Sequence, residues 1–186
     1  MKNKRQLLKI RIYGDKTLNK VAEPVKEITP EIQEFIQNLT HTMYIKNGIG
    51  LAAPQVGISL RIYVVDPFWY KEGKKKNPYI FINPEFLEFE GESTAEEGCL
   101  SLPDIFEKVS RAEKVVITAM NENGKKITLE AEGIFARVLQ HEFDHLGGIL
   151  FVEKISKLRQ VFIKKKLREL AKSTDENGEN IQRIED

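Results

Sequence analysis

The stretch GIFARVLQHEFDHL (133–146) most constrains this chain, because it joins a helical apolar stripe to the segment His141-Glu142-Phe143-Asp144-His145. Ile134, Val138 and Leu146 recur at helical spacing with Phe135 and Leu139 beside them, which predicts a helix with a buried face. Gly147-Gly148 closes it. On such a helix two histidines four residues apart lie about 40° from each other around the axis, so both can grip one ion. Two of the chain's three histidines stand here. The ordinary alternative is a surface helix carrying two solvated histidines.

An HExxH segment supplies two imidazoles and a carboxylate, whereas a catalytic site of the zinc type uses three protein ligands and leaves one position to water. Cys99 is the best candidate for the third ligand. A thiolate is a strong soft donor, and Gly98 in EEGCLSLP (96–103) lets the backbone turn closely beside it. A lone cysteine also has the plain reading of a small buried hydrophobe. Glu153, eight residues after His145, and other acids compete for the position. No third histidine follows the motif, so the metzincin arrangement is absent.

A divalent ion in such a set acidifies water toward neutrality and polarises a carbonyl, which is hydrolytic chemistry. Glu142 is poorly placed to chelate, yet it suits a general acid/base that takes the water's proton and passes it to a leaving amine. The developing oxyanion needs a donor. Gln55, in the glycine-rich stretch 48–58, and the backbone N–H of Leu100 are the candidates; the ordinary role of Gln55 would be to bond loop backbone.

Composition narrows the classes. The chain has 186 residues, 41 % hydrophobic, with 29 basic against 28 acidic side chains, which fits one globular domain and excludes a disulfide-stapled miniprotein. A net charge of +1 argues against wholesale nucleic-acid binding. One cysteine makes no internal disulfide, and no apolar run approaches the ~18–20 residues of a membrane helix. The opening MKNKRQLLKIRIYG has the charged start of a signal peptide, but Lys9 and Arg11 interrupt its apolar part and no small-residue cleavage site follows. A cytoplasmic protein without a membrane partner is expected.

Thr29 as N-cap, Pro30 at the first helical position and a stripe of Ile32, Phe35, Ile36, Leu39 and Met43 predict a helix over 29–47. GIGLAAPQVGI (48–58) predicts a loop of unusual backbone shape. Strands are expected at 61–65, 79–82, 113–120 and 126–131, the last two paired as a hairpin about Asn121–Gly124, with an exposed lysine-rich loop at 71–78. Residues 154–172 read as a helix with eight Lys or Arg against Glu169, and Leu158, Val161, Phe162 and Leu170 on its apolar side. The expected fold class is α+β: short antiparallel or mixed β-sheets packed around a central helix bearing the HExxH, followed by a C-terminal helix. One catalytic domain would span 1–172, with a polar, flexible tail over 173–186.

Three segments, GIGLAAPQVG (48–57), EGCLSLP (97–103) and QHEFDHLGGILF (140–151), resemble in order and spacing the three signature motifs of bacterial-type peptide deformylases. The similarity runs from about Ile10 to the helix after Ile155. Gly14 departs from it, since relatives often have proline before Asp15. The resemblance implies a metal-dependent hydrolase that removes the N-formyl group from formyl-methionine at the N-terminus of nascent polypeptides, releasing formate. It implies Cys99, His141 and His145 as ligands, Glu142 as acid/base, and Gln55 with the Leu100 N–H on the oxyanion. Gly50 would give close backbone approach to the formyl end, and Ile49 and Ile134 would line an apolar pocket for the methionine side chain, although core burial explains those aliphatics equally well. It implies Fe²⁺ in the cell, and a two-nitrogen, one-sulfur set also accepts Zn²⁺, Ni²⁺ or Co²⁺.

The peptide is expected to bind extended on a strand edge. Arg111, with Glu97 and Asp144, is expected to hold the cysteine loop against the helix. The basic 154–172 helix is a candidate to dock on ribosomal RNA, against the alternative of a packed helix with solvated lysines. A monomer is the expected state. Two rival readings are an ordinary HExxH peptidase and a noncatalytic, metal-stabilised binding module; the second requires neither Glu142 nor Gln55.

Overall fold

The computed structural model describes residues 5–182. In chain order these form α1 (Pro30–Ile45), β1 (Gly50–Ala52), β2 (Ile62–Val65), β3 (Tyr79–Glu90), β4 (Ser93–Cys99), β5 (Leu102–Arg111), β6 (Lys114–Met120), β7 (Lys126–Glu132), α2 (Gly133–Leu146) and α3 (Lys157–Ala171). One antiparallel sheet has the order β1-β2-β3-β6-β7, and β4 pairs with β5 as a separate two-stranded ribbon. This is the α+β class read from the sequence.

The strand Ile62-Tyr-Val-Val65 explains how the layers meet. All four residues are buried, and side chains alternate across a strand, so each face of β2 must be covered. Ile62 and Val64 pack with Ile36, Leu39 and Met43 of α1. Tyr63 and Val65 pack with Ala136, Leu139 and Leu146 of α2. The central helix therefore lies on one face of the sheet and α1 on the other. A third cluster joins Leu102, Ile105 and Val109 of the ribbon to Leu150, Phe151, Ile155 and Ile163, and this fastens β5 beside the α2 exit.

Local signals account for the helix ends. Thr29 Oγ1 accepts from the Ile32 N–H at 3.4 Å and Pro30 needs no partner at the first helical position. Gly133 starts α2 at φ +58°, a left-handed turn that suits glycine.

Four expectations change. The stretch 48–58 holds β1 and a 3₁₀ turn, Ala53–Val56, closed by Gly57 at φ +86°. The strand expected at 79–82 runs on to Glu90, with Pro84 tolerated where the β3–β6 register shifts between Ile82 and Glu85. On α3, Leu158, Val161 and Phe162 are exposed (66–67 %) and Ile163 is the buried residue, so of the apolar stripe read from spacing only Leu170 packs against the core.

The segment after α3 is also tied down. Ile12 N–H donates to Asn180 O at 2.7 Å, Gln182 N–H donates to Ile10 O at 2.8 Å, and the buried Asn180 amide donates to Tyr13 O at 2.8 Å and Leu170 O at 2.7 Å. Backbone pairing does here what apolar side chains do elsewhere, which is why the polar composition of 173–182 is misleading. Residues 183–186 of the expected tail, and 1–4 of the leader-like opening, lie outside the described residues. Among those described, no helix is long and apolar enough to cross a membrane.

Candidate metal centre

Helix α2 carries His141 and His145 one turn apart, with ring centroids 5.0 Å from each other. The ribbon delivers the third donor: Cys99 ends β4 just after a register shift between Glu97 and Cys99, and its Sγ lies 3.4 Å from His145 Nε2. One donor atom from each of Cys99, His141 and His145 lies within 4.8 Å of the others, the one such group among the described residues. Glu153 is not part of it; its carboxylate accepts from the Leu150 N–H at 2.8 Å.

The His141 ring is oriented from behind. Its Nδ1 lies 2.9 Å from Glu97 Oε2, so Nδ1–H donates and Nε2 turns toward Cys99. Glu97 also accepts from Arg111 Nε (2.8 Å) and Nη2 (2.9 Å) and from Arg137 Nη1 (2.8 Å). Arg111 Nη1 reaches Asp144 at 2.6 Å, and Lys154 Nζ lies 3.0 Å from the other Asp144 oxygen. Burial alone would raise the Glu97 pKa, but the Arg111 and His141 bonds hold it well below the usual carboxylate range.

Burial would lower His141, but bonds to Cys99 and Glu97 raise it to about 10. Burial, then the charge on His141, push His145 well below its ordinary value. Soft sulfur and two imidazoles at this spacing fit a divalent metal.

Glu142 is 4 % exposed, burial raises its pKa to about 7, and its Oε2 is buried without a partner. Strand β1 passes so near that a Cβ on Gly50 would collide with Glu142 Oε1, so a larger residue there would have to displace that carboxyl. Gln55 is fixed in one orientation. Its Oε1 accepts the Ala52 N–H at 2.8 Å, which turns Nε2 toward Cys99 Sγ and Ser101 Oγ, each at 3.3 Å. Leu100 follows Cys99 at the tip of the ribbon.

A cavity of about 490 Å³ gathers these groups, lined by Ile49, Gly50, Gln55, Cys99, Leu100, Ile134, His141 and Glu142 among others. His145 lies beneath it at 1 % exposed, and Ile134 stands at the rim at 39 %. The nine residues read from the sequence as catalytic, substrate-binding or ligating thus meet around one site. A carboxyl of near-neutral proton affinity, an amide donor and a cation-binding trio suit hydrolysis of a carbonyl–nitrogen bond.

Four supporting residues escaped the sequence reading. Arg137 sits one turn before His141 on the same helix face, a spacing that could have flagged it. Ser101 adjoins Gln55. Trp69 Nε1–H donates to Gly48 O at 2.9 Å, bracing the approach to β1, and Lys76 lies over the rings of Tyr44 (4.5 Å) and Trp69 (5.4 Å). Nothing in the spacing of 66–78 announces those contacts.

Comparison with known proteins agrees with this chemistry. The family model for polypeptide deformylase matches residues 7–161. A peptide deformylase of Neisseria meningitidis is 47 % identical over 168 residues, covering 90 % of this chain and 98 % of the relative. That of Thermodesulfovibrio yellowstonii is 46 % identical over 162 residues, with coverage of 87 % and 97 %. The crystal structure of a peptide deformylase from Legionella pneumophila superposes with TM-score 0.82 at 40 % identity, covering 90 % of this chain and 96 % of that one. The chain belongs to the polypeptide deformylase family, enzymes that remove the N-formyl group from nascent peptides.

Proposed function

We propose that this deformylase uses Cys99, His141 and His145 to hold one divalent ion, Fe²⁺ in the cell, with Zn²⁺, Ni²⁺ or Co²⁺ able to substitute. The observation that carries the proposal is the convergence of those three donors with a buried carboxyl on one cavity wall. Bound there, the ion supplies Lewis acidity, lowering the pKa of water and polarising a carbonyl oxygen.

The chain's own residues do the rest. The peptide lies extended with its methionine side chain among Ile49, Ile134 and Val138, and its formyl end against Gly50. Glu142 takes the proton of the attacking water, which a carboxyl with a pKa near 7 does readily, then delivers it to the leaving nitrogen as the C–N bond breaks. Formate and a free amino terminus result. Gln55 Nε2 and the Leu100 N–H hold the oxygen on which charge develops.

The protein acts in the cytoplasm as a monomer, and its catalytic domain runs past the expected boundary at 172, because 173–182 pairs with Ile10–Tyr13. Contact with the ribosome runs through α3, where Leu158, Val161 and Phe162 are exposed among Lys157, Arg159, Lys164 and Lys165. Formate release from formyl-Met-Ala by protein purified without oxygen, paired with elemental analysis, tests reaction and ion together. Cleavage of the unformylated peptide instead would favour an ordinary peptidase.

A further inference from the structure

The family match ends at residue 161, ten residues before α3 does. The chain beyond it nonetheless reaches the cleft. After α3 it turns at Asp175–Gly178, where Asp175 Oδ1 accepts the Asn177 and Glu179 N–H groups at 2.9 Å each. It then runs antiparallel beside Arg11, bridged at Ile181, and brings Gln182 to the cavity wall with Leu100, Leu102 and Pro103.

Asn180 fixes this course. It is 2 % exposed, its N–H donates to the fully buried Asp15 carboxylate at 2.9 Å, and its side-chain and carbonyl bonds to the 12–13 backbone hold it on both sides. Gly14 belongs to the same arrangement. Its φ is +99°, and a Cβ there would lie 2.5 Å from Thr174 Oγ1 and 3.1 Å from Ala171 Cα. A proline at position 14 could not adopt that φ, so the departure seen at Gly14 is what admits the returning segment.

We infer that Gln182 contacts the bound peptide downstream of its formyl-methionine, with segment 174–182 forming a wall of the peptide cleft. The inference rests on the deformylase reading above. The Gln182 N–H is committed to Ile10 O, and the half-buried residue lines the cavity. A peptide entering by its formyl end keeps its later residues at the mouth, where a half-buried residue stands. An amide donates and accepts, so it pairs with a peptide main chain whatever side chains follow, as a substrate class of varied sequence requires.

The test compares formyl-Met amide, which has no downstream residue, with formyl-Met-Ala-Ser-Ala. Gln182→Ala should raise KM for the tetrapeptide about 2- to 10-fold, the loss of roughly one hydrogen bond, with kcat and metal content unchanged and both constants unaltered for formyl-Met amide. In Gln182→Glu, a third-position lysine should gain over aspartate relative to the wild-type preference. Equal effects of Gln182→Ala on the two substrates, or none on either, would overturn the inference. Absence of formate release from either substrate by the wild-type protein would instead overturn the deformylase reading.

Discussion

Arg111→Leu should loosen the metal centre without touching it. Arg111 ends β5, its guanidinium grips Glu97 of β4 through two bonds and Asp144 of α2 through a third, and its side chain is 2 % exposed. It therefore ties the strand leading to Cys99 to the helix bearing both histidines. Removing one partner of a buried ion pair costs ~3–5 kcal/mol, because the other charge is left in a poor solvent. Glu97 keeps Arg137 and His141, and Asp144 keeps Lys154, so the lower end of that range applies. In a domain of this size each kcal/mol moves Tm by ~2–4 °C, giving a drop of roughly 6–12 °C. Metal affinity should fall ~10- to 100-fold, as Glu97 no longer holds the His141 ring firmly. Calorimetry and a chelator competition titration measure the two effects separately, and Arg111→Lys, which restores charge without the planar fork, should lie between. Metal affinity equal to the wild type in Arg111→Leu would refute the reasoning, even if Tm fell.

Glu142→Ala should retain its metal and lose about 10²- to 10⁴-fold in kcat for formate release, since only the proton carrier is removed. Glu97 predicts acid lability of definite sign: its folded pKa lies below its unfolded value of 4.5, so its contribution is complete above about pH 4.5 and is lost as pH falls toward the folded value. A Tm profile from pH 6 to 3 should therefore fall more steeply for the wild type than for Glu97→Gln. Trp69→Phe keeps the edge contact with Tyr44, at 5.3 Å between ring centroids, but loses the N–H on Gly48 O. KM for formyl peptides should rise ~3- to 10-fold as β1 loosens, and an unchanged KM would remove that role.

The sequence announces chemistry more clearly than placement. Helix α1 is legible because its cap and apolar spacing agree, α2 because its apolar spacing and closing glycines do, and the HExxH periodicity alone sets two histidines one turn apart. The β4–β5 ribbon was not foreseen, although Leu102 to Arg111 alternates buried and exposed residues along most of its length. Its glutamates and lysines lower strand propensity, and Arg111 and Glu97 are buried only because they neutralise each other across the ribbon. On α3 the spacing of Leu158, Val161 and Phe162 suggested burial that the fold does not provide, since the third core cluster takes Ile163 instead.

Side chains of Arg111, Glu97 and Asp144 tie the cysteine ribbon to α2, but the glycine-rich stretch and the cysteine loop are also joined by main chain alone. Along Ile10–Tyr13 successive N–H groups point to opposite sides, as in any extended chain. Arg11 N–H donates to Gln55 O at 2.7 Å and Tyr13 N–H donates to Ser101 O at 2.9 Å, joining the glycine-rich stretch to the cysteine loop on one edge. On the other edge Ile12 N–H and Ile10 O receive Asn180 and Gln182. Backbone groups are the same at every position, so such a strap leaves no compositional trace. It sets the spacing between the amide donor and the thiol all the same. The residue types decide which reaction the site can run, and this short strip of main chain holds them within reach of one substrate.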